Sequence, residues 1–277
     1  MTVAFGLAAA LCWAIDNLIS MRIARNIPPV PALVWSLLAG LVVGLPVWYA
    51  WHGLPAELPD VRSLGMALAS APCYLAGNAF FLLALRRGNL SIVAPLVGLE
   101  GGIAAVIGIL VLGQGVGALT AIGLVLAVIG GSLAASERGA RGAAGAGWAL
   151  ASAAAYGATF VCYGEATGIS PLGVVLTSRA AAVALLGLWL VTHRQPLALG
   201  RSMRRATITL GSIDVLAFTL FATAVALGPI AVASVTGAQF ATLAAALGVV
   251  VLAERLRVVQ YVGVVLTLIA VIVLALG

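Results

Sequence analysis

Four ionisable side chains lie within long apolar stretches of the sequence, where a charge is costly to bury. These residues are Asp16, Glu100, Arg179 and Asp214. A buried acid must hold a proton, bind a cation or pair with a base, so each is either a functional candidate or half of a structural ion pair with Arg179. Glu100 is the leading candidate, because the glycines of its GLEGG segment leave room for a cavity. Gly98 and Gly102, four residues apart, are equally a helix-packing motif.

Aromatic and polar side chains recur at helical spacing near these residues. Two triplets have the spacing i, i+4, i+7 of one helix face: Tyr74, Asn78 and Phe81, and Tyr156, Phe160 and Tyr163. Four residues with polar atoms are candidates to line a cavity, with packing as the alternative: Trp13, Tyr74, Asn78 and Tyr156. Gln239 is a further candidate, because its amide needs a hydrogen-bond partner in apolar surroundings. Phe81 and Phe221 are interpreted as packing residues.

The composition indicates an integral membrane protein. Of 277 residues, 63% are hydrophobic and 8% are charged, and the mean hydropathy is +1.20. A soluble protein carries about 25% charged residues to cover its surface. The net charge of +6 comes from arginines between apolar runs, which is typical of membrane orientation signals and not of a nucleic-acid partner. The three cysteines are isolated from one another and from histidine, so we expect no cofactor and no metal.

Breaks at proline, glycine and arginine divide the chain into ten apolar segments, each near the length of about 20 residues that crosses a bilayer. The segments are 3–23, 31–51, 63–85, 91–112, 116–135, 145–164, 171–192, 206–227, 231–252 and 257–276. We interpret the first as a retained membrane helix, because no basic region of a signal peptide precedes it. The sequence therefore predicts an all-α integral membrane protein with ten transmembrane helices.

An internal repeat relates the two halves of the chain. With a shift of 140, residues 88–129 meet 228–269 with ten identities in 42 positions. A shift of 143 aligns Trp13 with Tyr156. These alignments predict two domains of five helices each, 1–137 and 143–277. Because five is odd, the two must cross the membrane in opposite senses, as in the inverted repeats of many transporters.

Long stretches of both halves resemble the EamA repeats of the drug/metabolite transporter (DMT) superfamily. The first stretch contains LRRGNLSIVAPL and LVLGQGVGALTAIGLVLAVIGG, and its echo runs from ALGPIAVASVTG to VVLTLIAVIVL. LAERLR at 252–257 is similar to the family's Leu-Gly-Glu-Arg-Leu pattern. The first repeat of this chain departs from that pattern, because Gln114 stands where glutamate is usual. Arg179 matches an arginine often found in the family, and Ser36 replaces it in the first repeat. The resemblance implies a transporter of amino acids, metabolites or drugs.

These features favour a secondary transporter, not an enzyme, that moves a small organic solute by alternating access through a site between the repeats. No GxxxxGK[ST] loop is present to bind ATP, so the driving force is the solute's own gradient or an ion gradient, with protons as the candidate ion. Three buried acids against one base favour cationic or zwitterionic solutes, and the resemblance implies export. Two alternatives stay open: an intramembrane enzyme that uses Asp16 and Asp214, and a passive channel. The sequence makes no prediction of the oligomeric state.

The arginines are distributed unevenly between the loops. Twelve lie in odd-numbered loops: Arg22, Arg25, Arg86, Arg87, Arg138, Arg141, Arg194, Arg201, Arg204, Arg205, Arg255 and Arg257. Arg62 alone lies in an even-numbered loop. The positive-inside rule therefore predicts that the odd-numbered loops lie in the cytoplasm. Both termini would then lie on the extracytoplasmic side of the cytoplasmic membrane. Ten-helix members of the family are often described with both termini inside, so the charges and the resemblance disagree.

A topology reporter distinguishes the two orientations. Alkaline phosphatase fused after Gly277 should be active, because the enzyme folds only on the extracytoplasmic side, whereas a green fluorescent protein fused at the same point should stay dark. The opposite pattern would reverse the orientation and exchange the ends of every helix.

Overall fold

The structure, a computed structural model, describes residues 1–52, 59–88, 90–134, 145–193, 197, 199–240, 242–243 and 257–276. Every regular element within these ranges is helical. The helices are α1 (Thr2–Asn26), α2 (Pro29–His52), α3 (Val61–Arg87), α4 (Leu90–Val97), α5 (Leu99–Leu110), α6 (Ala118–Ala134), α7 (Ala146–Glu165), α8 (Pro171–His193), α9 (Arg201–Ala226), α10 (Ile230–Gly237) and α11 (Val258–Leu276).

Each of the ten predicted segments contains at least part of a described helix. The fourth is divided into α4 and α5, and the ninth begins as α10. Among the described helices, five are long and apolar enough to cross a membrane: α1, α2, α3, α8 and α9. The chain is thus an all-helical, multi-pass membrane protein. Several predicted features lie outside the described residues: the last part of the ninth segment (244–252), LAERL at 252–256, Arg138, Arg141, Arg194, Arg255 and Gly277.

The helices begin where the sequence supplies suitable residues. Pro29 and Pro171 open α2 and α8, at the position where a missing backbone N–H removes no helical hydrogen bond. Asp60 caps α3, since its Oδ1 accepts a hydrogen bond of 2.9 Å from the backbone N–H of Ser63. Hydrogen bonds from Ser63 hold the pKa of the Asp60 carboxyl below its usual value. The capped start fixes α3, which carries Tyr74.

Two helix breaks fall at equivalent positions of the repeat. Gly98 separates α4 from α5, and Ala238 follows the last residue of α10. These residues are 140 apart, the shift that aligns the halves. Glu100 and Phe240 each lie two residues beyond a break. Interrupted helices at matching positions of two repeats are typical of transporter sites near the middle of the membrane.

Helices from corresponding predicted segments of the two halves pack against each other in antiparallel directions. Where α6 meets α11, Gly123 lies against Leu274 and Gly130 against Thr267. Contacts that run up one helix and down the other define an antiparallel pair, and the close approach depends on glycine. Likewise, where α5 meets α10, Gly101 lies against Ser234 and Gly108 against Ile230.

The outer surface of the helical bundle is apolar. Large side chains at least half exposed include Val42, Leu110, Val111, Leu188, Val191 and Leu268. The interior, by contrast, is rich in alanine and in small hydroxyl residues, which lets helices approach without large side chains between them. This arrangement is expected where lipid is the solvent, because lipid gives no drive to bury leucine.

Two adjacent glycines provide a matched test of the α5–α10 contact. A Cβ at Gly101 would lie 2.5 Å from the backbone oxygen of Ser234, whereas one at Gly102 would come no nearer than 3.9 Å to Val128. Gly101→Ala should therefore lower the free energy of unfolding by about 1–3 kcal/mol. Gly102→Ala should leave it unchanged or raise it by about 0.5–1 kcal/mol. Thermal unfolding in detergent measures both, and equal effects would contradict the packing described.

Candidate functional site

A small cavity lies where the two halves of the chain meet. Its lining residues come from α1, α3, α4, α5, α7 and α9, with one residue beyond α10. They are Trp13, Asp16, Asn17, Phe81, Val97, Glu100, Tyr156, Phe160, Asp214, Phe218 and Phe240. The lining thus combines three carboxylates with aromatic rings.

A network around Arg179 forms one wall behind this cavity. Asp214 Oδ2 accepts a hydrogen bond of 2.8 Å from Arg179 Nη2 and another of 2.8 Å from the Tyr74 hydroxyl. Arg179 Nη1 lies 3.5 Å from the hydroxyl of Tyr163. The guanidinium carbon also lies 3.2 Å from the centre of the Tyr74 ring, a cation–π contact. Arg179 and Asp214 therefore neutralise each other, and the network joins α3, α7, α8 and α9.

Asp16 and Glu100 differ from Asp214, because neither has a cation beside it. Ser20 donates a long hydrogen bond of 3.5 Å to Asp16 Oδ2, whereas the buried Oδ1 of Asp16 has no partner. Glu100 is 4% exposed, and among the described residues none forms a hydrogen bond or ion pair with its carboxylate. Apart from Arg179, the described arginines are all exposed. The cavity thus has two acids that form no ion pair with any described residue.

Phe218 is the centre of the aromatic wall. Its ring makes edge contacts with Trp13 at 5.1 Å and with Tyr74 at 5.4 Å between centroids. Arg179 Cζ lies 4.6 Å from the centre of the same ring. Phe160 stacks against Trp13 at 5.5 Å and completes the wall. One ring therefore contacts the internal guanidinium and also lines the cavity.

The structure brings together seven of the nine site residues proposed from the sequence. Trp13, Asp16, Glu100, Tyr156 and Asp214 line the cavity. Tyr74 and Arg179 reach it through Asp214. Of the alternatives for Arg179, pairing with Asp214 is the one observed, and pairing with Glu100 is not.

Asn78 and Gln239 lie apart from the cavity. The Asn78 amide donates to the backbone oxygen of Tyr74, one helical turn away on the same helix. Gln239 Nε2 donates to the backbone oxygens of Ala127 and Val235, at 3.3 and 3.0 Å. These carbonyls satisfy the amide, so Gln239 connects α6 to the end of α10 and lines a separate cavity between them.

Some lining residues were not among the candidates proposed from the sequence. Phe81, interpreted as a packing residue, lines the cavity, as do Asn17, Phe160, Phe218 and Phe240. The repeat contains a signal for two of them. Phe240 corresponds to Glu100 under the shift of 140, and Phe160 corresponds to Asn17 under the shift of 143.

Residues that correspond in the repeat meet each other in this region. Tyr74 and Asp214, 140 residues apart, share a hydrogen bond. Trp13 and Tyr156 line the same cavity, as do Glu100 and Phe240. The cavity therefore lies where corresponding parts of the two halves meet.

The helical bundle, its apolar surface and its central polar cavity define a multi-pass membrane protein. The chain belongs to the EamA-like transporter family, whose sequence profile matches residues 1–135 and again 143–276. A solved structure described only as "Crystal structure of protein" is similar in fold, with a TM-score of 0.78 at 16% identity, covering 99% of this chain and 96% of that one. No curated protein matches the sequence. The two family matches confirm the resemblance to EamA repeats.

The Arg179–Asp214 pair can be tested by replacing its members singly and together. Asp214→Leu should lower the free energy of unfolding by about 3–5 kcal/mol, because it leaves a buried guanidinium without a counter-charge. Arg179→Leu should have a similar effect, whereas the double replacement should cost much less than the sum. Tyr74→Phe, which removes a single hydrogen bond, should cost about 1 kcal/mol. Additive effects in denaturation of the purified variants would contradict a direct ion pair.

Proposed function

We propose that the protein is a secondary transporter that exports a small organic solute across the cytoplasmic membrane by alternating access. The observation that carries this proposal is the cavity between the two repeats, with two buried acids, Asp16 and Glu100, that have no cationic partner in the described part of the chain. Buried acids without partners are expensive in a membrane and are retained where they bind a solute or a proton. Membership of a transporter family supports the same conclusion.

Alternating access would follow from two inverted units of five helices, residues 1–137 and 143–277, in a ten-span protein. The antiparallel packing of α5 with α10 and of α6 with α11 supports this arrangement, because a two-fold axis in the membrane plane reverses each helix. The two units would rock about the cavity. The breaks at Gly98 and Ala238 lie next to it and give each half a point at which a helix can bend.

Protons are the proposed coupling ion, and Glu100 is the residue proposed to carry them. Its carboxylate lies in the first turn of α5, where the N-terminal end of the helix dipole favours a negative charge. Burial opposes that charge, so the protonated and ionised forms can both be populated during a transport cycle. No ion pair competes for the group within the described residues. The solute classes considered are amino acids, amines and related metabolites or drugs.

The orientation proposed from the arginines places both termini outside. Described arginines at Arg86, Arg87, Arg204 and Arg205 lie at helix ends of odd-numbered loops and are exposed, so they can remain in water or among lipid headgroups. Arg62, of the even-numbered loop at the other side, forms an ion pair with Glu165. The rule counts arginines and not net charge, so the uneven number of arginines between the loops is what supports this orientation.

An intramembrane aspartyl enzyme fits the geometry less well. Such an enzyme needs two carboxylates that share a proton, and Asp16 and Asp214 do line one cavity. Asp214, however, is bound by Arg179 and Tyr74 through the same oxygen. Sharing a proton with Asp16 would therefore have to displace these contacts to Asp214. A passive channel is distinguished from a carrier by counterflow, which only a carrier shows.

Glu100→Gln tests the coupling proposal. In proteoliposomes, the variant should retain solute exchange at nearly the wild-type rate but lose accumulation driven by a pH gradient, because a neutral amide cannot carry the proton. A lumenal pH dye should likewise show proton movement with the solute only for the wild type. Glu165→Gln, a carboxylate replaced outside the cavity, is the matched control and should behave as wild type.

Two outcomes would contradict the proposal. Gradient-driven accumulation that survives in Glu100→Gln would exclude Glu100 as the coupling acid. Flux without saturation or counterflow in the wild-type protein would exclude a carrier altogether. The solute panel for these assays should span amines, amino acids, sugars and nucleosides.

A further inference from the structure

The charges around the cavity are asymmetric in a way that restricts the solute. Asp16, Glu100 and Asp214 face it, and among its lining residues none carries a positive charge. Arg179, the one buried arginine among the described residues, lies behind Asp214 and is already paired with it. A solute carboxylate would find only Asn17, Trp13 and Tyr156 as hydrogen-bond donors on the cavity wall. It would also face three acids.

The two free acids differ in their surroundings. Asp16 is on α1, one helical turn after Trp13, and its unpartnered Oδ1 is fully buried at the cavity. Trp13 belongs to the aromatic wall centred on Phe218. Glu100 lies on α5, beyond the Gly98 break and outside that wall. Asp16 is therefore the acid that offers both a negative charge and an adjacent aromatic surface.

The protein itself demonstrates that this wall accepts a planar cation. The Arg179 guanidinium lies 3.2 Å from the centre of the Tyr74 ring and 4.6 Å from that of Phe218. Phe218 is shared between this internal cation and the cavity. Aromatic rings attract weakly hydrated cations such as guanidinium and quaternary ammonium groups, most strongly where water is excluded. The cavity contains the same two elements that hold Arg179: a carboxylate and aromatic rings.

We infer that the solute is an organic cation without a carboxylate, whose guanidinium or alkylated ammonium group binds between Asp16 and the aromatic wall of Trp13 and Phe218. This inference rests on the proposed transport function and narrows its solute class. It favours amines over amino acids. An amino acid would bring a second, negative group into a cavity that offers that group no ion-pair partner.

Matched pairs of compounds test the inference, each pair differing by one carboxylate. The pairs are choline and glycine betaine, agmatine and arginine, and tyramine and tyrosine. At least one cation of the three pairs should raise the melting temperature of the purified protein in detergent, and its carboxylate-bearing counterpart should bind roughly 30-fold more weakly or not at all. Melting temperature and equilibrium binding are both measured on the full chain at one pH and ionic strength.

A variant of Asp16 and a control outside the cavity make the test specific. Asp16→Asn should weaken binding of the active cation by roughly 30-fold or more, because it removes the buried counter-charge. Glu165→Gln, a carboxylate replaced outside the cavity, should retain binding within about threefold. Asp16→Asn should still fold, because it removes an unpartnered buried charge, and its melting temperature without ligand verifies this.

Three results would overturn the inference. They are tighter binding of the carboxylate-bearing members, no binding of any of the three cations, and unchanged binding in Asp16→Asn. The counterflow panel separates this failure from failure of the transport function. Saturable counterflow of a sugar, nucleoside or amino acid would support the carrier proposal and contradict only the inference that the solute is an organic cation.

Discussion

The need to neutralise one buried guanidinium organises the centre of this protein. Arg179 is fully buried in the interior of the helical bundle, where an unpaired charge would cost several kcal/mol. Asp214 supplies the counter-charge, Tyr74 shares the same carboxylate oxygen and provides a ring face, and Tyr163 completes the surroundings. These four side chains come from four different helices. Neutralising this cation therefore connects α3, α7, α8 and α9, whereas Asp16 and Glu100 form no ion pair with any described residue.

Corresponding residues of the two halves meet at the cavity, which constrains their identity. An acid retained at both of two corresponding positions there would place two acids close together. The chain instead has Tyr74 bonded to Asp214, and Phe240 at the position that corresponds to Glu100. A hydroxyl can donate to a carboxylate, and a ring can pack beside one, whereas two carboxylates repel. Different residues at corresponding positions therefore avoid this repulsion.

The sequence predicted the helices well, because apolar runs of bilayer length and their proline and glycine breaks are local features. It also found seven of the residues at or beside the cavity, since ionisable and aromatic side chains within apolar runs are conspicuous. Contacts between helices that are distant along the chain could not be predicted from the sequence. The partner of Arg179 was left open because three acids were available and spacing along the chain does not reveal distance in space. Asn78 and Gln239 differ from expectation because nearby backbone carbonyls, which no sequence pattern displays, satisfy their amides.

The Arg179–Asp214 pair also constrains how the chain can enter the membrane. Asp214 follows Arg179 by 35 residues, so the ribosome completes α8 before the carboxylate that neutralises its arginine exists. An 18-residue stretch of α8 that includes Arg179 still has a mean hydropathy of 2.0, so its apolar residues offset the cost of inserting a lone arginine, roughly 3 kcal/mol. That cost is removed only when α9 arrives beside it. Insertion of α8 and α9 as a helical hairpin during biosynthesis, with the charges paired on entry, is therefore the route of lowest free energy.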